Sequence, residues 1–549
     1  MVAIDEISEI DAIEKRRLEI QNLLDAAKTK SERNRLGQFA TPTDLARDIL
    51  EYSSRLLSEP HQSIRFLDPA FGTGAFYSAL LKFFQPSQIE KAQGYEIDPH
   101  FAQPSAELWA NTPLELKATD FTRASPSVQD RNRANLLVCN PPYVRHHHLS
   151  TDEKARLQNL VRNRVGVRLS GLAGLYCYFL LISHDWLSEG GLAGWLIPSE
   201  FMSVNYGTQI RQYLLRQVTL LHIHRFSPED VQFGDALVSS AVVWFRKQDP
   251  SANHEVKFSY GGALSEPRIA RQIPVADLRR ANKWIGFFET SSGTTIGSGH
   301  KALPAKTRLL DWFDIKRGLV TGANKFFILT REQIEKHSLS MEFFIPILPS
   351  PRYLVTGEIE ADKDGNPVLD QKLFLLACNL PAKVVKTKYP ALWKYLQEGV
   401  RRGIDKRYLC RHRSPWYSQE SRPASPLLCN YMGRISSENK GPFRFFLNHS
   451  EATAPNVYLM LYPRPAIARQ LRSKPELLKT VWKALDAIPA SVLMGVGRVY
   501  GGGLYKIEPG ELAAAPADNI AAVLSSANGK YLGQLPLFTT QPPGGELDH

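Results

Sequence analysis

Asn140-Pro141-Pro142-Tyr143 puts two hydrogen-bond acceptors, two rigid rings and an aromatic face into four consecutive residues. An exocyclic amine on an aromatic ring is a poor nucleophile because its lone pair is delocalised into the ring. The Asn140 side-chain oxygen and the Pro141 carbonyl can each accept one N–H of such an amine. That draws the nitrogen towards sp3 and aims its lone pair at an electrophile. Pro141 and Pro142 hold the backbone stiff, and Tyr143 offers a face on which the target ring can stack. No covalent nucleophile is required. Attack at a pyrimidine ring carbon would call for a cysteine after a proline, and none of the five cysteines follows one. Average residue usage makes this tetrapeptide a chance event in roughly under one chain per hundred of this length.

Acidic residues precede it at strand ends. Ile64–Leu67 is a short apolar run followed by Asp68-Pro69-Ala70-Phe71-Gly72-Thr73-Gly74 and then a helical stretch. Strand, glycine turn and helix form the nucleotide-binding corner of an open α/β sheet, where Gly72 and Gly74 let backbone approach a ligand. A dinucleotide fingerprint wants a third small residue at position 77; Tyr77 stands there and argues against a nicotinamide cofactor. The next strand ends Gly94-Tyr95-Glu96-Ile97-Asp98, placing Glu96 to accept both hydroxyls of a ribose. In Asp120-Phe121 the carboxylate can accept from a base amine while the ring packs on the base. Each acid alone reads more readily as a solvated strand end. Their order after the glycine turn is what carries meaning.

That order resembles the gamma class of amino-methyltransferases from type II restriction–modification systems, which modify the N6 amine of adenine. In that class a segment resembling Gly37-Gln38-Phe39-Ala40-Thr41-Pro42 comes first and closes over the methionine end of S-adenosylmethionine. The glycine motif, the ribose acid, the Asp-Phe pair and Asn-Pro-Pro-Tyr follow, and a large target-recognition domain comes last. The resemblance spans roughly residues 30–245. It implies a catalytic segment at Asn140, Pro141, Pro142 and Tyr143, and a cofactor site at Thr41, Asp68, Ala70, Gly72, Gly74, Glu96, Asp120 and Phe121. Thr41 and Asp68 would serve the methionine moiety, Glu96 the ribose, and Asp120 with Phe121 the adenine. Phe233, with Phe226 as competitor, would be a second aromatic stacking with Tyr143 on an extruded base. Phe71 departs from the small residue or cysteine common in relatives. The same tetrapeptide also serves cytosine N4, protein glutamine and RNA methylation. Those on protein or RNA generally lack both the Gly37–Pro42 type of segment and a basic domain of over 200 residues. About 35 residues ahead of the first motif are too few for a nuclease domain.

These residues need a sheet to hold them. Ile64–Leu67, Ala92–Tyr95, Asn135–Cys139, Ala193–Ile197, Leu220–His224 and Val238–Phe245 are strand candidates alternating with helical stretches. The expected fold is α/β: a doubly wound Rossmann-like methyltransferase sheet with a C-terminal mixed α+β target-recognition domain. The expected parts are an N-terminal helix over 1–30, a catalytic domain over 31–250, a Ser/Gly/Pro-rich linker or domain edge over 251–305, the recognition domain over 306–525, and a tail over 526–549. In the first helix Ile10, Ile13, Ile20, Leu24 and Ala27 follow helical spacing, and Arg17 reads as an interruption of that seam.

Charge separates the two halves. The net charge is +12, and residues 301–549 carry 34 Lys and Arg against 22 Asp and Glu, while the first 300 hold 33 of each. A neutral module followed by a basic one suggests catalysis coupled to a polyanion, here double-stranded DNA. From Lys383 to Tyr417 ten Lys and Arg face only Glu398 and Asp405, with Trp393, Tyr395, Tyr408, Trp416 and Tyr417 interleaved. Arg401, Arg402, Arg407, Arg411 and Arg413 are therefore DNA-contact candidates, and Arg317 joins them through a segment resembling the entry to such recognition domains. Tyr500–Lys506, with its three glycines, resembles a segment near the far end. His146-His147-His148 suit backbone contact with DNA better than a metal. The scattered cysteines exclude a disulfide framework, and Cys410 with His412 is at most half a zinc site, so no metal is expected. Apolar stretches such as Leu175–Ile182 are far too short to span a bilayer. The expectation is a cytoplasmic monomer that binds DNA, touches no membrane and works alongside a restriction endonuclease without a stable complex.

Overall fold

The structure, a computed structural model, describes residues 2–57, 63–227, 230, 232, 239–288, 307–435, 441–500 and 503–526. They fall into two compact units, Met1–Ser298 with Arg498–Leu504, and the remainder.

The first unit is built on nine strands: β1 Ile64–Asp68, β2 Ile89–Tyr95, β3 Leu114–Lys117, β4 Ala134–Cys139, β5 Leu187–Pro198, β6 Thr219–Arg225, β7 Ser240–Arg246, β8 Glu255–Gly262 and β9 Pro267–Pro274. Their order is β3-β2-β1-β4-β5-β7-β6-β8-β9. β3, β2, β1, β4 and β5 pair in parallel, whereas β7 runs antiparallel to both β5 and β6. The chain reverses direction across the sheet beside β1, so the loops after β1, β2 and β4 open on one edge, where an open α/β sheet takes its ligand.

Helices cover both faces. On one lie α3 Thr43–Leu56 and α4 Ala75–Phe83, which bring Ile49, Leu50, Phe76 and Leu80 against Phe66, Leu136 and Trp244. On the other lie α6 Thr151–Val165, α7 Leu175–Ile182, α8 Thr208–Arg216 and α9 Val275–Arg280, with Leu157, Leu180, Leu214 and Leu278 against Leu137, Trp195 and Ile223. The central strands are buried on both faces and accordingly read as continuous apolar runs. α1 Val2–Ala26, α2 Lys30–Leu36 and α5 Pro99–Leu108 complete the unit.

Three expectations change. The segment expected as linker or domain edge, 251–305, supplies the two strands at one edge of the sheet, β8 and β9, so its first part is sheet and not linker, because Val256 and Phe258 alternate into the core with Trp284 and Phe288. Its residues 289–306 lie outside the described residues. The N-terminal helix stops at Ala26, and Thr29 opens a new helix with a capping box to Glu32. The third change is Arg17, which is 1% exposed and belongs to a buried polar network.

The second unit holds a five-stranded sheet ordered Phe313–Arg317, Tyr458–Pro463, Leu427–Asn430, Phe445–Asn448, Glu358–Ile359, and mostly antiparallel. A smaller antiparallel sheet joins Ile328–Thr330, Leu373–Leu376 and Phe344–Ile347. Helices Ala382–Lys388 and Pro390–Arg401 pack beside it through Val385, Leu392 and Leu396. No helix among the described residues is long and apolar enough to cross a membrane.

Candidate active site

A cavity of about 380 Å³ opens at the sheet edge of the first unit, walled by residues of the loops after β1, β2 and β4 and by α1 and the 36–40 segment. Ala70, Gly72, Glu96, Asp120, Phe121, Asn140 and Pro142 all line it. A smaller pocket shares Ala70, Gly72 and Asn140 and adds Thr41 and Asp68. Residues far apart in sequence thus meet at one place because each ends a strand or starts a turn at the same edge.

At the turn after β1, Gly72 has φ +57°, and a Cβ added there would meet nothing within 4 Å. Gly74, at φ +87°, begins α4 and leaves room for the rings of Phe71 and Trp109, 2.6 and 2.7 Å from an added Cβ. Gly74 therefore shapes the turn from behind, and Phe71 is a buried residue that borders the smaller pocket but not the 380 Å³ cavity. Tyr77, in the place of a third glycine, is buried edge-on to Trp109.

The carboxylates are held by the backbone. Glu96 accepts from Gly72 N at 2.9 Å with one oxygen and from Asp98 N at 2.8 Å with the other. Burial still pushes its pKa up. Asp68, at the end of β1 and 1% exposed, accepts from Ala70 N at 3.1 Å. Burial raises its pKa to about 7, the Ala70 N–H opposes this, and the Glu96 charge adds to it. Asp120 caps the following turn, accepting from Thr122 N and Oγ1 at 2.8 Å each. Phe121 is buried edge-on to Tyr95 and against Trp186 and Phe179. Asp98, which sequence reasoning passed over, also lines the cavity; it is paired with Lys28 and accepts from Gln38 Nε2 at 2.7 Å. Those partners hold its pKa low against the opposing effect of burial.

Asn140 is fixed by what its amide nitrogen must do. Nδ2 donates to the Phe39 carbonyl at 2.9 Å and to Thr41 Oγ1 at 3.1 Å. A carbonyl can only accept, so the amide orientation is determined, and Oδ1 is left buried with no hydrogen-bond partner among the described residues. The 37–41 segment is thus bonded directly to the tetrapeptide. Gly37 O accepts from Tyr143 N at 3.0 Å, and Phe39 packs on the Tyr143 ring at 5.6 Å. Tyr143 itself is 7% exposed, and its hydroxyl donates to Leu196 O at 3.0 Å. Pro141 is buried and Pro142 half-buried.

Phe233 lies outside the described residues. Phe226 is buried beside His224, with ring centroids 4.7 Å apart. His146–His148 form an exposed to half-buried turn, in which burial and neighbouring cations lower the pKa of His146.

In the second unit the basic candidates divide. Arg401 and Arg411 are exposed, the latter over the exposed Tyr408 ring at 5.3 Å. Arg402 pairs with Glu398 at 3.5 Å, and Arg407 donates to Gly322 O at 3.3 Å. Arg413 is half-buried and turned inward: it donates to Thr321 O at 2.8 Å, Val320 O at 2.7 Å and Gln419 Oε1 at 3.1 Å, so it braces a loop. Arg317 lies over Tyr431 at 4.3 Å and donates to Asn456 O. Of the interleaved aromatics, Tyr395 stacks on Phe326 and bonds its carbonyl, and Tyr417 bonds Leu380 O, so both anchor the core. Cys410 is buried, and the His412 ring meets Tyr408 O at 2.6 Å. Within Tyr500–Lys506, residues 501 and 502 lie outside the described residues.

Sheet order and acid-tipped loops together define a doubly wound, Rossmann-like methyltransferase fold. Residues 79–232 match the family described as Eco57I restriction-modification methylase, and residues 281–532 match the C-terminal domain of the type II methyltransferase M.Eco57I. The chain is 25% identical over 503 residues to the type II methyltransferase M.AccI of Acinetobacter calcoaceticus, covering 87% of this chain and 85% of that protein. It is 26% identical over 491 residues to M.XamI of Xanthomonas campestris pv. amaranthicola, covering 87% and 84%. Among solved structures, the type IIL restriction-modification enzyme MmeI in complex with DNA aligns with a TM-score of 0.52 at 12% identity, over 94% of this chain and 79% of that one. The chain belongs to the type II restriction–modification methyltransferase family.

Proposed function

We propose that this protein transfers a methyl group from S-adenosylmethionine to the N6 amine of adenine at a specific site in double-stranded DNA, protecting that DNA from a cognate restriction endonuclease. The observation that carries the reading is Asn140 Oδ1, a buried acceptor just past the end of β4 with no partner among the described residues. Leaving such an atom unbonded costs about 1–3 kcal/mol, and an amine N–H from a ligand would satisfy it.

The residues present fit the cofactor. The cavity offers a carboxylate held by two backbone N–H groups for a ribose and an open glycine turn, and the smaller pocket offers a buried carboxyl at Asp68 for an ammonium. When bound, the cofactor supplies an electrophilic methyl on a sulfonium. Asn140 Oδ1 and the Pro141 carbonyl accept the two amine protons, and Thr41 with the Phe39 carbonyl keeps Oδ1 aimed by holding Nδ2. Stacked duplex bases cannot reach such a pocket, so the target adenine is flipped out against Tyr143. Exposed Arg401 and Arg411, with Arg402 and Arg407, supply phosphate contacts on the second unit. The enzyme acts as a monomer in the cytoplasm and needs no metal.

The test is expression in a host without adenine methylation, followed by single-molecule sequencing for modified bases. N6-methyladenine in one short motif, absent with Asn140→Ala, supports the reading. N4-methylcytosine in its place overturns the base assignment. No rise in 2-aminopurine fluorescence on binding, with that analogue at the target, overturns flipping.

A further inference from the structure

α1 buries a polar stripe. Glu14, Arg17 and Gln21, one helical face at steps of three and four, are 6%, 1% and 8% exposed. Buried charge is unfavourable unless every group is bonded, and here the bonds run to the candidate site. Arg17 donates to both Glu14 oxygens at 2.8 Å, to Thr73 Oγ1 at 3.0 Å and to Thr43 Oγ1 at 3.1 Å. The Thr73 hydroxyl donates in turn to Gln21 Oε1 at 2.6 Å. Beyond Ala26 the same stripe continues as Lys28 on Asp98, and the His100 ring meets Leu24 O at 2.9 Å. The helix is thereby tied to the glycine turn, to the first residue of α3 and to the residue two past Glu96.

Gln21 lines both the 380 Å³ cavity and the smaller pocket that holds Asp68 and Thr41. Its Oε1 is taken by Thr73, so Nε2 is the atom turned the other way, and Nε2 can only donate. The smaller pocket therefore offers a carboxyl at Asp68 and an amide donor at Gln21, a pairing suited to a ligand end that carries both an ammonium and a carboxylate.

We propose that Gln21 is a cofactor-binding residue whose Nε2 donates to the carboxylate of the cofactor's amino-acid end, and that Arg17 is a positioning residue that holds the glycine turn through Thr73. The proposal rests on the reading of this cavity as an S-adenosylmethionine site. It extends the enclosure from the 37–42 segment to a helix that precedes it.

The informative variant is Gln21→Glu. It is isosteric, still accepts from Thr73 and so leaves the turn in place, but it sets an acceptor against the ligand carboxylate. Calorimetry would compare S-adenosylmethionine with 5′-methylthioadenosine, which lacks the amino-acid end, on the full chain. Expected is a loss of about tenfold or more for S-adenosylmethionine with methylthioadenosine affinity within twofold of the parent. Gln21→Ala should show the same split in milder form. Arg17→Met should weaken both ligands together, with Arg17→Lys recovering part of each. Unchanged S-adenosylmethionine affinity in Gln21→Glu, or an equal loss for both ligands, overturns the Gln21 assignment. Failure of the parent protein to bind S-adenosylmethionine overturns the cofactor reading itself, which is a separate result.

Discussion

Gly37→Ala is the sharpest perturbation of the active-site geometry. Gly37 ends α2 at φ +66°, and an added Cβ would lie 2.4 Å from Tyr143 N, 2.6 Å from Val144 N and 2.7 Å from Tyr143 C. All three are backbone atoms, so no side chain can swing aside. The left-handed backbone costs about 1–2 kcal/mol for a residue with a Cβ. Relieving the clash costs about 1–3 kcal/mol more through displaced backbone. What moves is the Asn140–Tyr143 segment or the 37–41 segment bonded to it, and a shift of about 1 Å at a reacting group lowers turnover about 100-fold. The assay is single-turnover methylation at saturating cofactor, read beside the thermal midpoint. Gly166→Ala is the control: it ends α6 at φ +67°, its Cβ meets nothing within 4 Å and it lines neither pocket, so it carries only the backbone strain. Gly37→Ala should lose far more turnover than Gly166→Ala and should melt at least as early. Parental turnover together with parental stability in Gly37→Ala would refute the close packing of the two segments and the role assigned to it.

Three further outcomes are expected. Asn140→Asp keeps the size of the side chain but sets an oxygen against the Phe39 carbonyl, so methylation should fall by about 100-fold or more while cofactor titration stays near the parent; a variant with parental rate would remove Asn140 from the chemistry. Asp68 has a folded pKa raised to about 7 from 3.8, so between those values the folded state holds the extra proton and stability declines as pH rises through the window. Asp68→Asn should flatten that slope in denaturant titrations of the cofactor-free protein, and an unaltered slope would contradict the assignment. Arg413→Ala strips the donor from three acceptors and should lower the melting temperature, whereas Arg401→Ala and Arg411→Ala should leave it unchanged and make DNA affinity less salt-dependent. The reverse pattern would move Arg413 to the DNA surface.

What could be read in the residues was whatever is local to a strand and the turn after it. Asp68 with its glycines, Glu96 and Asn140 each sit at the end of an apolar run, Asp120 follows them in the expected order, and parallel strands deliver such ends to one edge, so linear order was enough to place them around a common cavity. The parallel core was legible for the same reason, since strands buried on both faces are continuously apolar. β3, a short edge strand, and β9, whose side chains alternate only between half-buried and exposed, carry no such run and were passed over. The first helix misled in a more instructive way. Apolar spacing predicted a seam through Ile13 and Ile20 that Arg17 would break, yet the face that is buried is the polar one. Hydrophobic periodicity reports burial only when the surface opposite is apolar, and here the partners of Arg17 are Thr73 of the glycine turn and Thr43 at the start of α3. In the same way composition could mark Arg413 and Arg401 alike as basic. Only tertiary structure, by supplying Thr321, Val320 and Gln419 as acceptors for one and solvent for the other, decided which guanidinium braces the fold and which is presented outward.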